Sequence, residues 1–221
     1  MQTGGIILCG GLSSRMGRPK ANLPFGPELM LPRVVRLLGQ AVDSLVVVAA
    51  VGQELPPLPP PVRVARDRRE NRGPLEGLRA GLETLEGSVE AAYATSCDVP
   101  LLVPEFVLQM FQRLAGHQVA VPVDGEFYHP LAAVYRTDVL PEIRALLAAD
   151  QLRPRFLFER VRTCRVPVAE LRAIDSELQT LANLNTPADY LAAARRAGWE
   201  VPAEVRESLP TLDAAAANMP S

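Results

Sequence analysis

Lysine is almost absent from this chain: of 23 basic residues, Lys20 is the single lysine and 22 are arginine. Cysteine is scarce as well. Cys9, Cys97 and Cys164 are three in number and far apart, which gives neither a disulfide framework nor a zinc-ligand pattern. Cys9 and Cys97 each close an apolar run and read as small buried hydrophobes. Net charge is nearly missing, at −2 with a pI near 5.8. A nucleic-acid binder shows a basic face or a high pI, so none is expected as a partner. No apolar run reaches the roughly 18 residues of a bilayer span. No secretory leader pattern precedes the first strand-like run, so a reducing cytoplasm is the expected setting. The rest is ordinary. A hydrophobic content of 48% and a charged content of 22% over 221 residues suit one sizeable α/β domain.

The one lysine closes a loop rich in phosphate-binding chemistry. The apolar run 5–8 opens into Cys9-Gly10-Gly11-Leu12-Ser13-Ser14-Arg15-Met16-Gly17-Arg18-Pro19-Lys20. Glycines let backbone amides approach an anion because no Cβ intervenes. Arg15 offers a fork for phosphate oxygens and Lys20 a compact point charge, and the two are not interchangeable. This is not a Walker A loop, since Gly11 and Gly17 are separated by five residues rather than four and Arg18 follows. It contains no Gly-x-Gly-x-x-Gly either. On the glycines alone, a plain turn is as good a reading as a phosphate cradle.

Strand and helix patterns alternate along the chain. Strands are expected at 5–8, 44–50, 62–65, 91–96, 119–123, 128–135 and 164–168, with a short extended piece at 22–25. Helices are expected from Pro32 to about 40, at 74–86, from Pro104, at 137–149 and 154–161, and from Pro187 to 197 with Thr186 as N-cap. Asp124-Gly125 is a hairpin turn signal, and the prolines of 56–61 mark a stiff surface loop. Residues 1–200 read as one domain and 201–221 as a frayed, flexible tail. Such alternation predicts a Rossmann-like, mostly parallel sheet with helices on both faces. Ligands of such sheets bind at the carboxyl ends of the strands, which brings the loop after strand one and Asp98 after the strand at 91–96 to one edge.

Several separate segments together resemble the molybdenum cofactor guanylyltransferase family, within the Rossmann-like nucleotidyltransferases. They are Leu8 to Lys20, Asp67, Gly73-Pro74-Leu75 with Gly77, Cys97-Asp98-Val99-Pro100, His129-Pro130, and Asn183-Leu184-Asn185-Thr186-Pro187. The resemblance runs in family order from residue 5 to about 197. It implies the nucleotidyltransferase fold and transfer of GMP from GTP to the phosphate of molybdopterin, in its molybdenum form, with release of pyrophosphate. It also implies Mg²⁺ as cofactor, GTP and molybdopterin as small-molecule partners, and proteins of molybdoenzyme maturation as further ones.

Arg15, Lys20 and Asp98 are the catalytic candidates, and Leu8, Cys9, Gly10, Gly11, Lys20, Asp67 and Asp98 those for the nucleotide. Asp98 is the metal candidate, because Mg²⁺ typically takes one or two carboxylates plus substrate phosphates. Its plain alternative is a turn carboxylate. Asp67 suits guanine, whose N1–H and exocyclic amine can both donate to one carboxylate. Asn183 and Asn185 are candidates for the substrate phosphates or, equally, for capping backbone. Arg153 and Arg155 could meet the pterin phosphate or line a solvated face. His129 has no partner readable from sequence. Glu76 stands where the family carries a small residue and is expected to point to solvent; Ala49-Ala50-Val51-Gly52 stands where the family carries an asparagine. A cytidylyltransferase on the same pterin, a sugar-phosphate nucleotidyltransferase and a non-catalytic nucleotide-binding protein are the competing readings.

Overall fold

The computed structural model describes residues 1–9, 16, 19–67 and 72–210. The chain begins with strand β1 (Thr3–Leu8). A 3-10 turn (Lys20–Asn22) leads to the short hairpin β2 (Pro24–Phe25) and β3 (Glu28–Leu29) and then to helix α1 (Met30–Leu38). Pro32 lies in the first turn of α1, where a missing N–H breaks no intrahelical bond. Strands β4 (Ser44–Ala49) and β5 (Arg63–Arg66) follow, then helix α2 (Gly73–Leu85), strand β6 (Ala91–Ser96) and helix α3 (Pro104–Gln112). The second half holds β7 (Val119–Asp124), β8 (Phe127–Tyr128), β9 (Ala133–Arg136), α4 (Leu140–Ala148), α5 (Arg155–Arg160) and β10 (Thr163–Pro167). Helices α6 (Val168–Leu171), α7 (Pro187–Arg196) and α8 (Ala203–Ser208) complete the described chain.

The main sheet runs in the order β10-β7-β9-β6-β1-β4-β5, with β8 paired on β7. Strands β5, β4, β1 and β6 are mutually parallel; β9 is antiparallel to both of its neighbours, and β10 is parallel to β7. The sheet is therefore mostly parallel but mixed. Period-two alternation divides the core. Ile6, Leu8, Val46 and Val48 pack on α2, α4 and α5, while Ile7, Val47 and Tyr93 pack on α1 and α3. Helices thus cover both faces. A Cβ at Gly81 would lie 2.5 Å from Ile6, and one at Gly77 3.1 Å from Leu8, so these glycines let α2 lie close on β1.

Two stretches differ from their sequence patterns. Residues 128–135 do not extend throughout: Pro130–Ala132 form a 3-10 turn, and the Tyr135 hydroxyl donates to the Pro130 carbonyl at 2.8 Å. Nor is the segment beyond 200 frayed at its start. Val201, Val205 and Leu209 are buried with Met16, Leu23, Phe25, Met30 and Tyr190 in a third cluster. The reason is a sparse i, i+4, i+8 apolar stripe that has only this patch to cover. Gly26, at φ +66°, seats the Trp199 ring, which a Cβ would meet at 2.6 Å. The C-terminal helices thereby clamp the segment that carries Lys20. Residues 211–221 of the expected tail lie outside the described residues. No helix among those described is long and apolar enough to cross a membrane.

Candidate active site

Three hydrogen bonds carry the parallel ladder just past the strand ends. Cys9 N donates to Val48 O at 2.8 Å, Cys97 N to Leu8 O at 3.0 Å, and Asp67 N to Ala49 O at 3.0 Å. Cys9, Asp67 and Asp98 therefore leave the sheet along one carboxyl edge, where ligands of α/β sheets bind.

At the centre of that edge, Lys20 Nζ lies 2.7 Å from Asp98 Oδ2 and 3.0 Å from Asn185 Oδ1. The two charged side chains are only 16% and 10% exposed, so water screens this ion pair little. Asn183 Nδ2 donates to Asp98 Oδ1 at 2.9 Å and to Ser96 Oγ at 3.0 Å, and Ser96 Oγ donates to Asp98 Oδ1. The loop that brings in both asparagines is tied down by Leu184 N on the Asp98 carbonyl at 2.9 Å. Beyond it, Thr186 caps α7 in a reciprocal capping box with Asp189. The asparagine side chains are thus drawn to Asp98 and Lys20 and do not cap the helix. Ser96 was not foreseen, although a serine two residues before the carboxylate, at a strand end, was a readable signal.

A second group forms the wall on the α2 side. Asp67 Oδ1 is buried and without a hydrogen-bond partner among the described residues. It lies against α2 at Gly77, where a Cβ would stand 3.6 Å from it, an ordinary packing distance. Burial raises the Asp67 pKa, the charge of Glu76 raises it further, and Arg79 opposes both.

Glu76 is a correction. It is 5% exposed rather than solvent-facing, because Arg79, itself 8% exposed, neutralises it one helical turn on. Arg79 Nη2 donates to Glu76 Oε1 at 2.7 Å, and Nη1 donates to Glu83. Where the family asparagine is missing, Gln53 takes over local bonding. Its Nε2 donates to the Cys9 carbonyl at 3.1 Å, and its Oε1 accepts from Ala50 N at 3.1 Å. The Cys9 thiol is hydrogen-bonded to Cys97 and buried, and both effects push its pKa up, so it stays protonated and unreactive.

Other candidates fall outside this convergence. Arg153 and Arg155 are exposed, Arg155 lying over the Phe156 ring, and neither touches the Lys20–Asp98 group. Gly10, Gly11 and Arg15 lie outside the described residues.

Residues 5–164 match the family described as the MobA-like NTP transferase domain. The chain belongs to that family. It is 37% identical over 200 residues to a "Probable molybdenum cofactor guanylyltransferase" of Mycobacterium avium, covering 88% of this chain and 96% of the relative. A Mycobacterium ulcerans protein of the same description is 36% identical, covering 86% of this chain and 92% of its own. Among solved structures, the molybdopterin-guanine dinucleotide biosynthesis protein A of Archaeoglobus fulgidus superposes with a TM-score of 0.70 at 20% identity, covering 88% and 98% of the two chains. The 2-C-methyl-D-erythritol 4-phosphate cytidylyltransferase of Thermus thermophilus gives 0.66 at 16% identity, covering 90% and 100%. At these identities the structures speak for the nucleotidyltransferase fold alone. The chain is thus a nucleotidyltransferase of the MobA-like family.

Proposed function

We propose that this MobA-like transferase moves GMP from GTP onto the phosphate of molybdopterin, in its molybdenum form, and releases pyrophosphate. One observation carries the choice of guanine: the buried, unpartnered Oδ1 of Asp67. A buried acceptor without a donor is costly, and guanine brings two adjacent donors, N1–H and the exocyclic amine. Cytosine brings one exocyclic amine beside an acceptor, a poorer match to a carboxylate. The similarity to curated guanylyltransferases supports the same reading.

The reaction needs an acceptor phosphate held in line with the α-phosphorus and charge neutralisation along the triphosphate, a task of positioning and electrostatics. Lys20, held by Asp98 and Asn185, supports this reading: its ammonium is the cation assigned here to the charge that builds on the α-phosphate. Arg15 and the Gly10-Gly11 amides take the leaving pyrophosphate on the sequence reading alone. The Asp98 surroundings fit Mg²⁺: a single carboxylate sits beside the Ser96 hydroxyl and the Asn183 side-chain amide. Such a half-built site suits a hard cation that takes its other ligands from phosphates and water. When bound there, Mg²⁺ supplies neutralisation of phosphate charge.

The deciding experiment incubates the purified protein with Mg²⁺, molybdopterin and each nucleoside triphosphate in turn, then identifies the attached nucleotide by mass. GMP attachment is expected. A preference for CTP would assign the protein to the cytidylyltransferase reading instead.

A further inference from the structure

The Lys20–Asp98 pair is assembled from two segments that share no strand. Lys20 sits in the 3-10 turn ahead of the β2–β3 hairpin, and Asp98 in the turn that follows β6. A bond of 2.7 Å between them is only as constant as the spacing of those two segments. Arg33, on α1, reaches both. Its Nε donates to the Pro100 carbonyl at 2.7 Å, two residues beyond Asp98. Its guanidinium lies over the ring of Phe25 in β2, 5.1 Å from the centroid, and its Nη1 donates to Oε2 of Glu28 in β3 at 3.3 Å.

These contacts are shielded from water. The Arg33 side chain is 16% exposed, and Pro100 is buried. A buried carbonyl without a donor is costly, and a charged donor makes the stronger bond to it. Phe25 is itself fixed, since it is buried and meets Tyr190 edge-on with centroids 6.4 Å apart. Glu28 is held from its other side by Arg36, whose Nε and Nη2 donate to its two oxygens at 2.7 and 2.9 Å. Arg33 thus serves a ring and two acceptors at once. A planar fork with an aromatic-binding face suits that set, and a point charge does not.

We propose that Arg33 is a positioning residue for nucleotidyl transfer: it ties the Asp98 turn to the Lys20 segment and so sets the separation of the ammonium and the carboxylate. The inference deepens the transfer reading above and rests on it for the reaction that the pair serves. Arg33 acts through Pro100 on one side and through Phe25 and Glu28 on the other. A misplacement of about 1 Å costs a preorganised site much of its rate, which gives a guanidinium outside the reacting centre leverage over the chemistry.

The single lysine of the chain makes the pair directly observable. Protein isotope-labelled at the lysine side-chain nitrogen gives one ammonium resonance, that of Lys20. Asp98→Asn shows where that resonance moves when the carboxylate is lost. Arg33→Met keeps the aliphatic stem and removes every donor. It is expected to move the resonance part of the way toward the Asp98→Asn position and to lower kcat about tenfold, with GTP affinity within about twofold of wild type. Arg33→Gln, which keeps an amide donor, should lie closer to wild type in both readouts, and it carries the same criteria should Arg33→Met not fold. Arg36→Met breaks the other side of Glu28 without removing the Pro100 or Phe25 contact, and should leave resonance and kcat unchanged. A resonance that stays in place in Arg33→Met, a wild-type kcat, or an equal response to Arg36→Met would overturn the proposal, since each describes packing without positioning. A moved resonance in a protein that transfers no nucleotide would keep the hold of Arg33 on the pair and overturn the transfer reading alone.

Discussion

The ammonium of Lys20 and the carboxylate of Asp98 are 2.7 Å apart although 78 residues separate them in the chain. In a protein that otherwise writes arginine, this pair uses a compact, strongly hydrated point charge, whose donor geometry a planar guanidinium does not reproduce. Lys20→Ala is expected to lower kcat by about 10²–10³, the scale of losing one preorganised charge partner. GTP affinity should change only a few-fold, and Lys20→Arg should not restore the rate. Steady-state kinetics beside calorimetric GTP binding separate the cases. Equal losses in both would mean that Lys20 stabilises the ground state alone.

Glu76 and Arg79 form a buried pair next to the base-side wall, with Glu83 as second partner of the guanidinium. Removing one member leaves a desolvated charge, which is costlier than the intact pair is favourable. Glu76→Ala should lower unfolding free energy by about 1–3 kcal/mol, the remaining Glu83 contact limiting the loss. Glu76→Gln, which keeps an acceptor, should lose less. The double variant Glu76→Leu/Arg79→Leu should recover part of the stability, since no buried charge is left over. Urea melts at constant m-value would show this ordering, and a Glu76→Ala protein within 0.5 kcal/mol of wild type would contradict it.

Asp67 makes stability depend on pH in the direction opposite to an ordinary paired carboxylate. Burial and the Glu76 charge raise its folded-state pKa above the unfolded value. Between these two values the folded state binds more protons than the unfolded one, so stability falls as pH rises through that window. Asp67→Asn should therefore be the more stable protein above the ordinary aspartate range. Its advantage should disappear below that range and level off above the raised pKa. The same variant should discriminate less between GTP and other nucleotides, because an amide replaces one of the two acceptor oxygens with an NH₂ donor and loses the paired acceptors that N1–H and the exocyclic amine would meet. Thermal melts over a pH series without nucleotide are the measurement, and a difference that grows toward acid would reverse the assignment.

Much of this was legible from residues that act locally. Parallel strands buried on both faces are continuous apolar runs, so β1, β4 and β6 announce themselves. Thr186-Pro187 announces the start of α7 through cap chemistry. The insertion of β9 between β6 and β7, antiparallel to both, depends on long-range pairing that no local pattern encodes. Glu76 misled for a similar reason: its neutralising partner Arg79 was in view, but the inward turn of that face was not. Asn183 and Asn185 could be named as candidates, yet only the Leu184 bond to the Asp98 carbonyl decides that they turn toward the Lys20–Asp98 pair.

The docking of the C-terminal helices on the Lys20 segment sets a last expectation. Tyr190 and Trp199 hold the turn at 24–26 from outside: the Tyr190 hydroxyl donates to Pro24 O, and the Trp199 ring lies over Gly26. Gly26→Ala meets two penalties at once, a left-handed backbone at φ +66° and an indole in the way of the new Cβ. The backbone penalty alone is about 1–2 kcal/mol, and displacing Trp199 adds to it. The substitution should release the indole, seen as a red-shifted tryptophan emission from the single Trp199, and lower kcat by loosening Lys20. Trp199→Ala gives the steric relief without the strain. If clamping by these helices positions Lys20, Trp199→Ala should still lower kcat while Gly26→Ala/Trp199→Ala falls no further than the sum of the two. A Trp199→Ala enzyme with wild-type kcat would separate the C-terminal clamp from catalysis and leave it a role in stability alone.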